Sequence, residues 1–105
     1  MKIYLAGKIT GNPNFKDDFK KAELALKLQG HIVLSPADTI ARIQRLEHHE
    51  YLHICYAMID VADAVAFLPN WKDSKGAREE REYAMKKGKE IMYLEDLCEN
   101  RPIRR

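Results

Sequence analysis

No apolar run in this sequence approaches the roughly 20 residues that a helix needs to cross a bilayer. The opening stretch, MKIYLAGKIT, has too short an apolar part for a signal peptide. Cysteine is scarce. Cys55 and Cys98 stand far apart, in no CxxC pair and at no metal-ligand spacing, so they read as reduced thiols. An excess of one charge is missing too. The 18 basic and 16 acidic side chains leave a net charge of +2, too small to argue for a nucleic-acid polymer or a membrane as partner. Part of that excess, Arg101, Arg104 and Arg105, looks like a solvated tail. Neither GxxxxGK[ST] nor GxGxxG occurs, which excludes a P-loop and the dinucleotide fingerprint. These absences predict a cytoplasmic protein.

What is present is ordinary globular material. With 46% hydrophobic and 32% charged residues in a chain of 105, the expectation is one domain over residues 1–105, able to bury a modest core without disulfides or metal. Residues 2–6 are short, apolar and stopped by Gly7, as a buried parallel strand would be. After a loop over 7–14, Phe15, Phe19, Ala22 and Leu26 recur at helical spacing, and Gly30 supplies the stop. Further strands are predicted over 31–34, 64–68 and 90–94, with helices over 46–62 and 76–87. Residues 38–45 read as a short helix or an ordered loop, and the residues past 94 as at most one helical turn. Strands alternating with helices predict a parallel sheet with right-handed crossovers and the first strand central. Ligands of such sheets bind outside the carboxyl ends of the strands, which picks out the loops after Ala6, Leu34 and Leu68.

Two stretches carry candidate chemistry. In YLAGKITG, residues 4–11, Gly7 lets a ligand approach the backbone, and Lys8 and Thr10 can donate to an anion; a plain turn that needs glycine explains the same residues. In DSKGAREEREYA, residues 73–84, Ser74 sits where a helix begins and can cap it. The same place is an anion site, with free N–H groups and the positive end of the helix dipole. Glu80 lies about one and a half turns further in, where a carboxylate can look into the crevice. Most glutamates on such a helix are solvated. Glu79 and Glu82 read that way, and Glu80 is open to either reading. His49 and His53 would share a helix face, but no third ligand stands at a convincing spacing, so with His48 they read as a solvated face. Asp60 and Asp63 read as cap or turn residues. No cofactor and no metal are called for.

In this order, the segments resemble the nucleoside 2-deoxyribosyltransferase superfamily. YLAGKITG is similar to its opening strand and loop. DVADAVAFLPNW is similar to the segment in which an alanine–aspartate pair precedes a hydrophobic strand. SKGAREEREYA is similar to its S/D-x-G-x-x-x-E-x-G-Y-A motif. The resemblance spans nearly the whole chain. It is nearest to an uncharacterised branch of short proteins from bacteria and phages, and to the deoxynucleoside 5′-monophosphate N-glycosidases.

The resemblance implies a flavodoxin-like three-layer α/β sandwich with a four- or five-stranded parallel sheet. It implies an enzyme, hydrolase or transferase, that cleaves the N-glycosidic bond of a (deoxy)nucleoside 5′-monophosphate, with sites built at the interfaces of a homodimer or larger assembly. The nucleophile maps onto Glu80, four residues after Gly76. Its attack on C1′ would form a glycosyl-enzyme intermediate, as in retaining glycosidases. Tyr4 would orient it by a hydrogen bond. Ser74 stands where transferases carry aspartate and matches the serine that binds the 5′-phosphate in the monophosphate hydrolases. Tyr4, Gly7, Ile9 and Gly11 match the loop that holds sugar and phosphate, with Lys8 and Thr10 inside it. Two departures stand out. Cys55 occupies the place of an aspartate that helps protonate the leaving base, and a thiol is a poor general acid. Asp60, about a turn away, is the candidate substitute. Glu82 replaces the motif's last glycine. A second reading therefore keeps the crevice and loses turnover, leaving a protein that binds a nucleotide or a nucleotide-derived signal.

Overall fold

The computed structural model describes residues 1–39 and 43–94. Cys98 and the turn expected past residue 94 lie outside the described residues, as does the middle of the 38–45 stretch. The elements are β1 (Lys2–Ala6), α1 (Phe15–Leu28), β2 (Ile32–Leu34), α2 (Pro36–Thr39), α3 (His48–Val61), β3 (Ala64–Phe67), a 3-10 turn (Trp71–Asp73), α4 (Lys75–Lys86) and β4 (Glu90–Tyr93). The four strands pair in parallel in the order β2-β1-β3-β4, with Ile3 opposite Ala64 and Val65 opposite Ile91. This is the flavodoxin-like order, with β1 inside the sheet as expected. No helix among the described residues is long and apolar enough to cross a membrane.

The two inner strands explain the layers. Successive side chains on a strand point to opposite faces, so a strand buried on both sides reads as a continuous apolar run. Ile3, Leu5, Ala64 and Ala66 pack on one face with Phe19, Ala22 and Leu26 of α1. Tyr4, Ala6, Val65 and Phe67 pack on the other with Cys55 and Ile59 of α3 and Ala84 of α4. The phenol of Tyr4 is thus carried into the interior between α3 and α4 by strand alternation alone.

Element ends differ from the sequence reading by one or two residues, each for a local reason. The third helix starts at His48 because Glu47 and Glu50 form a reciprocal capping box there. The fourth starts at Lys75 because the Ser74 side chain caps it. Strand β3 ends at Phe67, although the Leu68 N–H still donates to the Ala6 carbonyl at 2.8 Å. At Gly7 a Cβ atom would lie 2.7 Å from Leu68 Cδ1. The missing side chain therefore lets the ends of β1 and β3 close on each other, a packing need at the point where the sequence suggested ligand access.

Candidate active site

Strands β1 and β3 are neighbours whose following helices leave toward opposite faces, α1 to one and α4 to the other. That divergence opens a crevice at their carboxyl ends. The two loops are tied across it by the Lys8 N–H, which donates to Asn70 Oδ1 at 3.1 Å. The crevice has a volume of about 590 Å³, a size that suits a small-molecule ligand. Gly7, Ile9 and Thr10 line it from the loop after β1, and Pro36 lines it from the end of β2. Arg45, His48 and Tyr51 line it from α3 and its approach, and Asp73, Ser74, Gly76 and Glu80 from the start of α4.

Glu80 is only 4% exposed. The Tyr4 hydroxyl, fully buried, donates to Glu80 Oε2 at 2.9 Å. Burial pushes the carboxyl up to about 7; hydrogen bonds from Tyr4 and Cys55 pull the other way, and the nearby Glu79 charge adds to the rise. The same burial pushes the Tyr4 phenol well above its ordinary value, reinforced by the Glu80 charge. Burial and Glu80 likewise push up the Cys55 thiol. The result is a carboxyl group at the edge of a crevice, oriented by a phenol and a thiol that both stay protonated, and itself divided between acid and carboxylate near neutral pH.

At the mouth, Ser74 Oγ accepts the Ala77 N–H at 3.1 Å, which leaves its own O–H free to donate outward. The Lys75 and Gly76 N–H groups, in the first turn, have no partner within the helix. A negatively charged group is favoured there.

The crevice gathers Gly7, Ile9, Thr10, Ser74, Gly76 and Glu80, with Tyr4 directly beneath Glu80. Lys8 contributes its backbone to the rim, but neither Lys8 nor the exposed Gly11 is part of the lining. Asp60 is not brought to the site. It lies exposed near the far end of α3, about 18 Å along the helix from His48 at 1.5 Å per residue. There it accepts a hydrogen bond from the Tyr83 hydroxyl at 2.7 Å. A residue one turn from Cys55 was a natural substitute by spacing, but that turn runs away from the crevice.

Sequence reasoning missed Arg45, His48, Tyr51 and Asp73 as lining residues. Tyr51 was within reach, since it stands four residues before Cys55 and so shares its helix face. Its buried hydroxyl has no hydrogen-bond partner that meets normal geometry. Arg45 adopts a left-handed backbone, φ 68°, that no composition signal announces. His48 was assigned to a solvated face. It is exposed, as are His49 and His53, and its Nε2 also lies 2.7 Å from Glu79 Oε1 across the α3–α4 gap, so Glu79 is not simply solvated.

A parallel sheet in this order, with a buried glutamate on its last helix and a strand tyrosine holding it, defines a deoxyribosyltransferase-like α/β protein. Solved structures agree. A 2-deoxyribosyltransferase of Leishmania mexicana superposes with a TM-score of 0.68 at 21% identity, covering 89% of this chain and 63% of its own. A 2-deoxyribosyltransferase of the psychrotolerant bacterium Bacillus psychrosaccharolyticus gives 0.67 at 25% identity, covering 99% and 77% respectively. This chain thus spans less than two thirds of the Leishmania protein. No curated protein matches the sequence. The chain belongs to the DUF4406 family, described as a domain of unknown function, which matches residues 1–93.

Proposed function

We propose that the protein cleaves the N-glycosidic bond of a (deoxy)nucleoside 5′-monophosphate, with Glu80 as nucleophile. The observation that carries this reading is the Tyr4–Glu80 pair at 2.9 Å, buried at the edge of a crevice whose mouth is the start of α4. Tyr4 holds one carboxylate oxygen and leaves the other to attack C1′. The electron pair of the C1′–N bond leaves with the base, and water then hydrolyses the glycosyl ester. Ser74 and the first-turn N–H groups hold the 5′-phosphate, one to two turns from Glu80. The test is a screen of deoxynucleoside and nucleoside 5′-monophosphates with base release followed by chromatography. Wild type should release base, Glu80→Ala should lose several orders of magnitude in rate, and Glu82→Ala, on the exposed side of α4, should lose little. Equal rates for Glu80→Ala and wild type would remove the nucleophile.

Binding without turnover is the second reading. Cys55, buried and pushed upward, is a poor acid where the leaving base needs one, and Asp60 is remote. Tight nucleotide binding with no base release would select it.

We also propose a homodimer. A chain this short gains burial by pairing. Leu52, Cys55 and Ile59 of α3 are spent on the protein's own core, so the outer side of the helix, with Val61 57% exposed, is the part left to offer. Light scattering at micromolar concentration should report twice the chain mass, and a monomer would refute the pairing.

A further inference from the structure

The nucleotide reading leaves one proton unaccounted for, and the crevice holds a side chain suited to carry it. We propose that His48, oriented by Glu79, is the general acid that protonates the departing base and the general base that then activates water. The inference rests on the glycosidase reading of the same crevice.

Departure of a nucleobase places an electron pair on a ring nitrogen, and a proton delivered there lowers the barrier. The family position for that acid is Cys55, a buried thiol that stays protonated, and Asp60 faces solvent at the other end of α3. Tyr51, at the same level, is also pushed upward by burial. Arg45, Asp73 and Lys75 complete the charged lining, and none of these residue types both gives and takes a proton near neutrality. Imidazole does.

The placement of His48 fits the task. It lines the crevice from the first turn of α3. A Cβ built on Gly76 would lie 3.8 Å from its Cε1, so the ring rests over the glycine one helical turn before Glu80. Glu79 Oε1 at 2.7 Å fixes the ring through Nε2 and leaves Nδ1 as the working nitrogen. A carboxylate that orients a histidine through its other nitrogen is a recurrent acid–base arrangement. As a structural tie alone, a pair with side chains 48% and 36% exposed contributes little to stability.

The proposed steps balance. A Glu80 carboxylate oxygen bonds to C1′ as the C1′–N bond breaks, and the imidazolium of His48 gives its proton to the base nitrogen. Neutral His48 then takes a proton from water as that water's oxygen bonds to C1′. The ester bond breaks, Glu80 regains its charge, and His48 is protonated again. The net reaction is nucleotide plus water to free base plus sugar phosphate.

Leaving-group chemistry tests this. The substrates are the four common deoxynucleoside 5′-monophosphates and 4-nitrophenyl 2-deoxyribofuranoside 5-phosphate, whose phenolate departs without a proton. His48→Gln should lose at least about 100-fold on the nucleotides. It should still release a burst of about one equivalent of nitrophenolate per site at close to the wild-type rate, followed by slow turnover. Its melting temperature should match wild type. Glu79→Gln, which removes the carboxylate that orients the ring, should slow nucleotide cleavage and leave the nitrophenolate burst close to the wild-type rate. Equal losses on both substrate classes, or no loss on either, would overturn the assignment. If wild type cleaves neither class, or Glu80→Gln keeps full activity, it is the glycosidase reading that fails, and the role of His48 falls with it.

Discussion

Glu80 and Tyr4 meet as residues that burial has made unlike their free forms. The carboxyl titrates near 7, and the phenol that holds it remains a donor across the physiological range. If Glu80 must be ionised to attack, the rate should rise with pH through about 7, not through the ordinary glutamate range near 4.5. Tyr4→Phe removes the hydrogen bond that opposes the upward push. The acid limb of the rate profile should then move to higher pH by about one unit or more. A limb that stays in place in Tyr4→Phe would mean that the bond does not tune the nucleophile. Glu80 was legible because its spacing from Ser74 and Gly76 matches a motif. His48 was not, because its meaning depends on Glu79, 31 residues away on another helix. Periodicity reports which side of a helix a residue occupies, not what the neighbouring helix brings to that side.

Helix α4 begins at one residue with an observed role and a proposed one. Ser74 caps the helix and, in the proposed complex, binds the phosphate. Ser74→Ala should cost about 1 kcal/mol of stability through the lost cap. Ser74→Asp separates the roles, since aspartate caps as well as serine but repels a phosphate. By calorimetry, wild type should prefer a nucleoside monophosphate over its nucleoside by roughly tenfold or more. Ser74→Asp should lose that preference and melt within a few degrees of wild type. An unchanged preference would take the phosphate away from α4. The loop after β1 offers a contrasting case. Gly7→Ala would drive a methyl into Leu68, 2.7 Å away, and destabilise the protein by about 1–3 kcal/mol before any question of ligand arises. The four strands and the three long helices were readable from apolar pattern, because both inner strands are buried on two faces and the helices on one; the short α2 at Pro36–Thr39 and the 3-10 turn at Trp71–Asp73 were not. Their ends were less so, since capping at Glu47 and Ser74 depends on side-chain hydrogen bonds that no pattern of hydrophobicity encodes.

For the molecule as a whole, the site opposes the fold. Glu80 titrates near 7 when folded, above its ordinary 4.5, so folding favours its neutral form. That contribution is complete below pH 4.5 and is lost as pH rises through 7. A glutamine at this position cannot ionise. Glu80→Gln should therefore melt like wild type at pH 4–5 and become progressively more stable than it toward pH 8, by up to about 3 kcal/mol. Denaturation curves at pH 5 and pH 8 check this. A constant difference between the two proteins would show that the carboxyl pays no ionisation penalty in the folded state.

The bond between Tyr4 and Glu80 joins residues 76 positions apart, one on the first strand and one on the last described helix. Until α4 docks on the sheet, Glu80 is a solvated glutamate like its neighbours, with neither the phenol to aim it nor the dry surroundings to raise its reactivity. If Glu80 is the nucleophile proposed above, a ribosome-bound or partly unfolded chain is chemically silent, and reactivity switches on only when β1 and α4 meet. A sugar reagent that traps the nucleophile covalently would then count native molecules one by one, and the labelled fraction should follow the folded fraction across a denaturant titration.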